Sequence, residues 1–206
     1  MMIESRAQLW SRSISRCLPQ VGVTAMLVAS KYEEIWAPEV RDFVYISDKA
    51  YNREQILSME KLMLNTLQFN LTLPTSYMFL ARFLKAASAH SDKNSCMLCT
   101  YLIELSLQEH TMLKFNYSTI AAAATYVALT ALHRPDPFCK TLAKHSGFTK
   151  EVILPCAAAL VQLMQKAPTN NLNAVYKKYS NAKYLEICKT EPPVEILAEV
   201  DSSLLG

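Results

Sequence analysis

Shifted against itself by 97 positions without gaps, the sequence superimposes one pattern of helical punctuation on another: Ala25 falls on Ala122, Pro38 on Pro135, Asn52 on Thr149, Glu54 on Glu151, Ile56 on Ile153 and Leu57 on Leu154. Each copy has a wholly apolar stretch, a proline-marked short segment and a capped long segment opening x-E-x-I-L. A unit used twice in this way has to bury each copy against helices of its own kind, so a duplicated all-helical unit is the simple reading. The second copy carries two further helical segments ahead of its apolar one, whereas the first has almost nothing before Val21.

The individual segments agree with that reading. Val21 to Ala29 is VGVTAMLVA, apolar all round, the pattern of a helix enclosed by other helices. Pro38 marks a short helix through Ile46, and Asn52 is a good N-cap for a long one to about Gln68. FNLTLPT is then an extended linker, and Thr75 caps a helix from Ser76. Further helices are predicted over Lys93 to Gln108, Ser118 to Leu132, Lys140 to His145 and Thr149 to Lys166, the last bent at Pro155. A polar helix-like stretch, LNAVYKKYS, precedes a tail broken by Pro192 and Pro193. With only 3 glycines in 206 residues, far apart at Gly22, Gly147 and Gly206, no GxGxxG or GxxxxGK[ST] phosphate loop exists.

Other function classes are disfavoured residue by residue. The net charge of +3, from 21 basic and 18 acidic residues without long single-sign runs, gives no concentrated basic stripe, so no nucleic-acid partner is expected. The apolar run Ile120 to Leu132 falls short of the roughly 20 residues that cross a bilayer, so no membrane association is expected. Six cysteines sit mostly inside apolar helical segments, the usage of a reducing compartment. Cys96 and Cys99 form a CxxC without a second CxxC or a His pair at zinc spacing, so neither a metal nor a cofactor is expected. Asn70-Leu-Thr72 and Asn116-Tyr-Ser118 match the glycosylation sequon but carry no weight without an export signal. No nucleophile–base pair points to catalysis, and His90, His110, His133 and His145 are expected at the surface. Residues 1–20 hold Arg6, Arg12 and Arg16, four serines and one acid, with Pro19 as a stop. They are expected to be a solvated leader or the edge of a truncated domain, with an organellar transit peptide as the alternative.

Glu60 is the oddity of the long helix. At about 100° per residue, Ile56, Leu57, Met59, Met63, Leu64 and Leu67 form one apolar stripe with Glu60 in its middle. A carboxylate there has to be paired or face a partner, because an unpaired buried charge costs several kcal/mol. Lys31, at the end of the wholly apolar helix, is within reach across a helix pair. Two readings stand at this point: an intramolecular salt bridge, or a pair that binds a partner.

The run LVASKYEEIWAPEVRDFVYISDKAYNREQILSMEKLMLNTLQFNL, followed by PTSYMFLARFLKAA, resembles the cyclin box of mitotic cyclins, most closely the plant B-type group. The KYEE, APEV and MEK elements at this spacing carry the resemblance, which extends from Val21 to about Glu191. It implies an all-α cyclin fold of two tandem helical repeats, the first incomplete. Residues 1–20 would be a leader of uncertain structure, 21–72 a partial N-terminal cyclin box, 73–191 a C-terminal cyclin fold and 192–206 a tail. It further implies a regulatory subunit, not an enzyme, that forms a heterodimer with a cyclin-dependent serine/threonine kinase and activates it in the mitotic cell cycle, in nucleus and cytoplasm. The family's kinase-binding Lys and Glu match Lys31 and Glu60, and its flanking contacts match Tyr32, Leu64, Phe69 and Leu71.

The same resemblance makes the departures visible. The first fold's opening helices, with the substrate-docking patch the family begins as MRAIL, are expected to be missing, as is the upstream tail with its RxxL degradation box. Pro19 stands about where the patch's Gln belongs, with Gln20 one place late. Absence of two packing helices would leave one side of Val21 to Ala29 uncovered. A degenerate cyclin homologue without kinase activation is the principal rival. A cyclin-fold transcription factor is the other, and would require a basic face on the second repeat.

Overall fold

The computed structural model describes the backbone of residues 2–203 and the side chains of residues 18–199. It is all helical among the described residues, and the chain divides into two compact units, Met1–Leu73 and Pro74–Gly206.

The first unit contains α1 (Met2–Glu33), α2 (Val40–Ile46) and α3 (Arg53–Thr66). Pro19, expected to stop a helix, lies inside α1 instead. Proline's fixed φ is compatible with the helix, and it forfeits one backbone hydrogen bond there. Asn52 caps α3 as expected: its Oδ1 accepts from the Gln55 N–H at 2.8 Å, and the Gln55 side-chain oxygen accepts from the Asn52 N–H at 2.9 Å, a reciprocal box. The core of this unit is small, with Leu27, Phe43 and Ile56 at its centre and Val23, Val40, Val44 and Tyr51 around them. Val21 to Ala29 is therefore covered on one side only. Thr24, Leu27 and Val28 are buried, while Met26 is 55% exposed and Leu18, one turn before Val21, is 69% exposed. The expectation of a helix enclosed on all sides does not hold here.

The second unit contains α4 (Ser76–Ala86), α5 (Lys93–Ser106), α6 (Tyr117–Ala131), α7 (Lys140–Ser146), α8 (Lys150–Lys166), α9 (Ala174–Tyr179) and α10 (Glu195–Ser203). Here the apolar helix of the repeat is enclosed: every residue from Ile120 to Leu129 is buried, and α4, α5 and α8 pack against it. The alanines 121–124 on α6, all at 0% exposure, let these neighbours approach closely. Gly147 ends α7 at φ 74°, a left-handed position that suits glycine, and the α7 and α8 axes turn through 91° about it. The N-caps of α3 and α8, Asn52 and Thr149, are the pair that the repeat aligns. Pro155 lies inside α8.

Two local features complete the unit. Asp92 caps α5 through the N–H groups of Asn94 and Ser95, accepts the Ser95 hydroxyl, and pairs with Arg134 at 3.0 Å. Beyond Pro193 the expected tail is instead α10, packed on α8 with Ile196 at 0% exposure, because Ile196 and Leu197 supply an apolar edge that the core accepts.

Two outcomes follow from this packing. Ile196→Ala should destabilise the second unit by about 2–5 kcal/mol, read as a lower urea midpoint. The Asp92 carboxyl is held below its ordinary value of 3.8, chiefly by the Ser95 hydroxyl, with burial opposing. A depressed carboxylate contributes stability that is complete above its unfolded value and drains away as pH falls through the folded one. Asn caps a helix as well as Asp does, so Asp92→Asn isolates the charge. The variant should lose stability at neutral pH and show a shallower fall in melting temperature from about pH 4 downwards.

Candidate functional site

The residues singled out in the sequence lie where the end of α1, the second half of α3 and the loop after it meet. The last turn of α1 carries Lys31 and Tyr32, α3 carries Glu60 and Leu64, and the loop carries Phe69 and Leu71. Two side-chain contacts fix this arrangement. The Lys31 ammonium donates to Glu60 Oε1 at 2.6 Å, and Tyr32 Oη lies 2.8 Å from Thr72 Oγ1. The carboxylate is much the more buried partner, with 13% of the Glu60 side chain exposed against 45% for Lys31. Glu60 thus sits on its apolar stripe with a cation supplied from the neighbouring helix.

That stripe is incompletely covered. Ile56 is buried, Leu57, Met59, Met63 and Leu64 are half-buried, and Leu67 is exposed. The chain then reverses through Gln68 and Phe69, at φ 51° and 55°. The Phe69 N–H donates to the Leu64 carbonyl at 2.9 Å and the Leu71 N–H to the Phe69 carbonyl at 3.0 Å. A bulky residue in the left-handed region costs on the order of 1–2 kcal/mol. The reward is placement: Phe69 stands 65% exposed beside half-buried Leu64 and Leu71, with Tyr32 at 48%. An ion pair ringed by uncovered aromatic and aliphatic surface has no chemistry of its own, but it has the composition of a docking face.

Sequence reasoning missed Thr72, visible there only as part of a sequon, and the bond from Gln20 Nε2 to the Gln55 carbonyl at 2.9 Å. Both depend on how α1 meets α3 in space and leave no mark in the local pattern. Ile35 and Trp36, just beyond α1, are exposed as well.

Elsewhere the side chains read as structural. Cys99 is fully buried and donates to the Ala124 carbonyl at 3.7 Å, and Cys96 donates to the His90 carbonyl at 3.4 Å. Burial pushes the Cys99 thiol up, and that of Cys156 up to about 12, so neither is a ready thiolate. His90, His110, His133 and His145 are all exposed. Among the described residues no cluster of His, Cys, Asp and Glu is arranged to hold a metal, and no single helix is long and apolar enough to cross a membrane.

Comparison with known proteins decides the family. Residues 9–72 match the model of the cyclin N-terminal domain, and residues 74–193 match that of the cyclin C-terminal domain. The chain belongs to the cyclin family. This cyclin is 51% identical over 180 residues to Cyclin-B2-1 of rice (Oryza sativa subsp. japonica), covering 87% of its own length and 42% of the rice protein. It is 49% identical over 175 residues to Cyclin-B2-4 of Arabidopsis thaliana, covering 85% of its own length and 40% of that protein. It is 44% identical over 184 residues to G2/mitotic-specific cyclin-2 of Medicago sativa, covering 89% of its own length and 56% of that relative. The chain therefore spans about two-fifths to just over half the length of these relatives. The match of the N-terminal domain from residue 9, like the run of α1, reaches back into what was expected to be a leader. One sequence expectation needs correcting: Arg6-Ala7-Gln8-Leu9 does spell RxxL, the spacing of a degradation box, within α1.

The geometry predicts how the ion pair behaves. With Lys31 about half exposed, the pair resembles a surface salt bridge, and a double-mutant cycle of Lys31→Met and Glu60→Gln should return a coupling of no more than about 1 kcal/mol in urea unfolding.

Proposed function

We propose that this cyclin is the regulatory subunit of a cyclin-dependent serine/threonine kinase, forming a heterodimer with it and activating it in the mitotic cell cycle. Lys31, Tyr32, Glu60, Leu64, Phe69 and Leu71 form the proposed kinase-binding surface. The observation that carries this reading is the Lys31–Glu60 pair, set among the exposed side chains of Tyr32 and Phe69 and the half-buried Leu64 and Leu71. Support also comes from 44–51% identity to B-type and G2/mitotic-specific cyclins over 85–89% of the chain.

The mechanism is allosteric. The end of α1 and the length of α3 present a preformed helical surface, against which the kinase's mobile regulatory helix docks. Docking brings the kinase's own Lys–Glu pair and activation loop into the catalytic arrangement, and all the chemistry belongs to the kinase. Apolar contact with Tyr32, Leu64, Phe69 and Leu71 supplies most of the binding free energy. The Lys31 ammonium and the Glu60 carboxylate satisfy polar backbone groups on the partner and fix its register. A location in nucleus and cytoplasm belongs to the same proposal.

The test is co-purification with a cyclin-dependent kinase, followed by a histone kinase assay. Wild type should bind and raise kinase activity, and Glu60→Ala should bind about 30-fold or more weakly, as expected when one member of a desolvated charge pair is truncated. Circular dichroism would show both proteins equally folded. Equal weak binding by wild type and variant, with no activation by either, would leave the rival reading of a cyclin homologue without kinase activation.

A further inference from the structure

Between α4 and α7, wholly within the second unit, lies an open cavity of about 520 Å³ lined by Ala81, Arg82, Lys85, Ala86, Thr141 and His145. Arg82 and Lys85 come from one face of α4, three residues apart. Thr141 and His145 come from one face of α7, four apart. The two helices are packed together, with the Cys139 thiol at the start of α7 meeting the Ala86 carbonyl at the end of α4. Neither helix contains an acidic residue. Among the described residues no hydrogen bond or ion pair engages the side chains of Arg82, Lys85, Thr141 or His145. Three other basic side chains of this unit are neutralised by a carboxylate: Lys150 is paired with Glu199, Lys178 with Glu104 and Arg134 with Asp92.

From this we infer that the α4–α7 cavity is a docking site for a phosphorylated serine or threonine in a partner protein. The argument is charge complementarity. A phosphate monoester carries close to two negative charges and three acceptor oxygens. The Arg82 guanidinium offers a planar fork, Lys85 a point charge, and Thr141 and His145 further donors from the opposite wall. A carboxylate, with one charge and two oxygens, would leave part of this set unused. The cavity is open and much larger than a phosphate group, and Ala81 and Ala86 line it with small apolar surface on which residues flanking a phosphoamino acid can lie. A peptide suits that shape better than a free anion.

The test is direct binding to the whole chain, without kinase, so its failure is separate from any failure of the kinase-docking proposal. Three ligands are titrated by fluorescence polarisation or competition: a short labelled peptide carrying one phosphothreonine, its unphosphorylated twin, and inorganic phosphate. The phosphopeptide should bind about tenfold or more tightly than its twin. Arg82→Ala combined with Lys85→Ala should weaken it by about tenfold or more, as loss of charge-assisted hydrogen bonds predicts. Lys93→Ala combined with Lys177→Ala removes the same charge elsewhere and should leave affinity unchanged. All four side chains are exposed, so folding is expected to survive, and circular dichroism would confirm it. The proposal is overturned if the two peptides bind alike, if both double variants bind like wild type or lose affinity equally, or if inorganic phosphate displaces the labelled peptide as well as unlabelled phosphopeptide does. It is overturned equally if a DNA oligonucleotide of matched charge outcompetes the phosphopeptide, because the surface would then be a nucleic-acid contact.

Discussion

The enclosure of a single helix decides how each half of this chain can behave. In the second unit, α6 is buried through ten consecutive residues, and the alanines at its centre bring α4, α5 and α8 close enough to share one core. At native packing density such a helix tolerates neither a larger side chain nor a missing neighbour. The Asp92 cap of α5 and the ion pairs of Lys150 and Lys178 accordingly lie at the periphery of this unit. Surface features that remain unpaired on such a frame, above all the basic walls of the α4–α7 cavity, are held in place by the core behind them.

The first unit uses the same helical pattern with less cover. Its counterpart of α6 is buried at Thr24, Leu27 and Val28 but exposes Met26, and its core centres on three residues. Apolar surface that the second unit spends on its own core is here left facing outward. This is what makes a docking face possible, since binding free energy comes from surface not yet removed from water. The strained turn at Gln68 and Phe69 belongs to the same economy: an unfavourable backbone conformation holds an aromatic ring outward, where it contributes nothing visible to folding.

The legible parts of the sequence were those that repeat or cap. The alignment of Asn52 with Thr149 located the starts of two long helices, because capping chemistry is local and the x-E-x-I-L opening follows it directly. The Lys31–Glu60 contact was legible as one of two readings because a carboxylate on an apolar stripe demands a cation, and Lys31 ends the neighbouring apolar helix. Pro19 and the segment after Pro193 were misjudged for a common reason. Proline reads as punctuation in a sequence, yet in α1 it costs one hydrogen bond, and before α10 it merely precedes a helix whose Ile196 finds a place in the core. Propensity was overridden by burial in the second case. The contacts of Thr72 and Gln20 could not be read at all, since they require the three-dimensional meeting of α1 with α3 and the loop beyond it.

The ion pair makes a specific demand on the proposed docking. In the free chain Glu60 is mostly buried and already satisfied by Lys31 at 2.6 Å, so a partner gains little by meeting the carboxylate unless the new hydrogen bonds at least replace the old one. Lys31, the more exposed of the two, can keep its contact with Glu60 while turning its remaining N–H donors outward, because an ammonium has three. Glu60 has a second oxygen, Oε2, which no hydrogen bond engages among the described residues, and it can accept a backbone N–H without surrendering Lys31. The pair therefore need not break on binding. It can act as one preorganised unit that offers a donor and an acceptor side by side, which is the pattern of a peptide backbone. Such an arrangement discriminates by geometry more than by charge: two opposite charges cancel at a distance, so the attraction is short-ranged and depends on the partner presenting its N–H and C=O groups in matching positions.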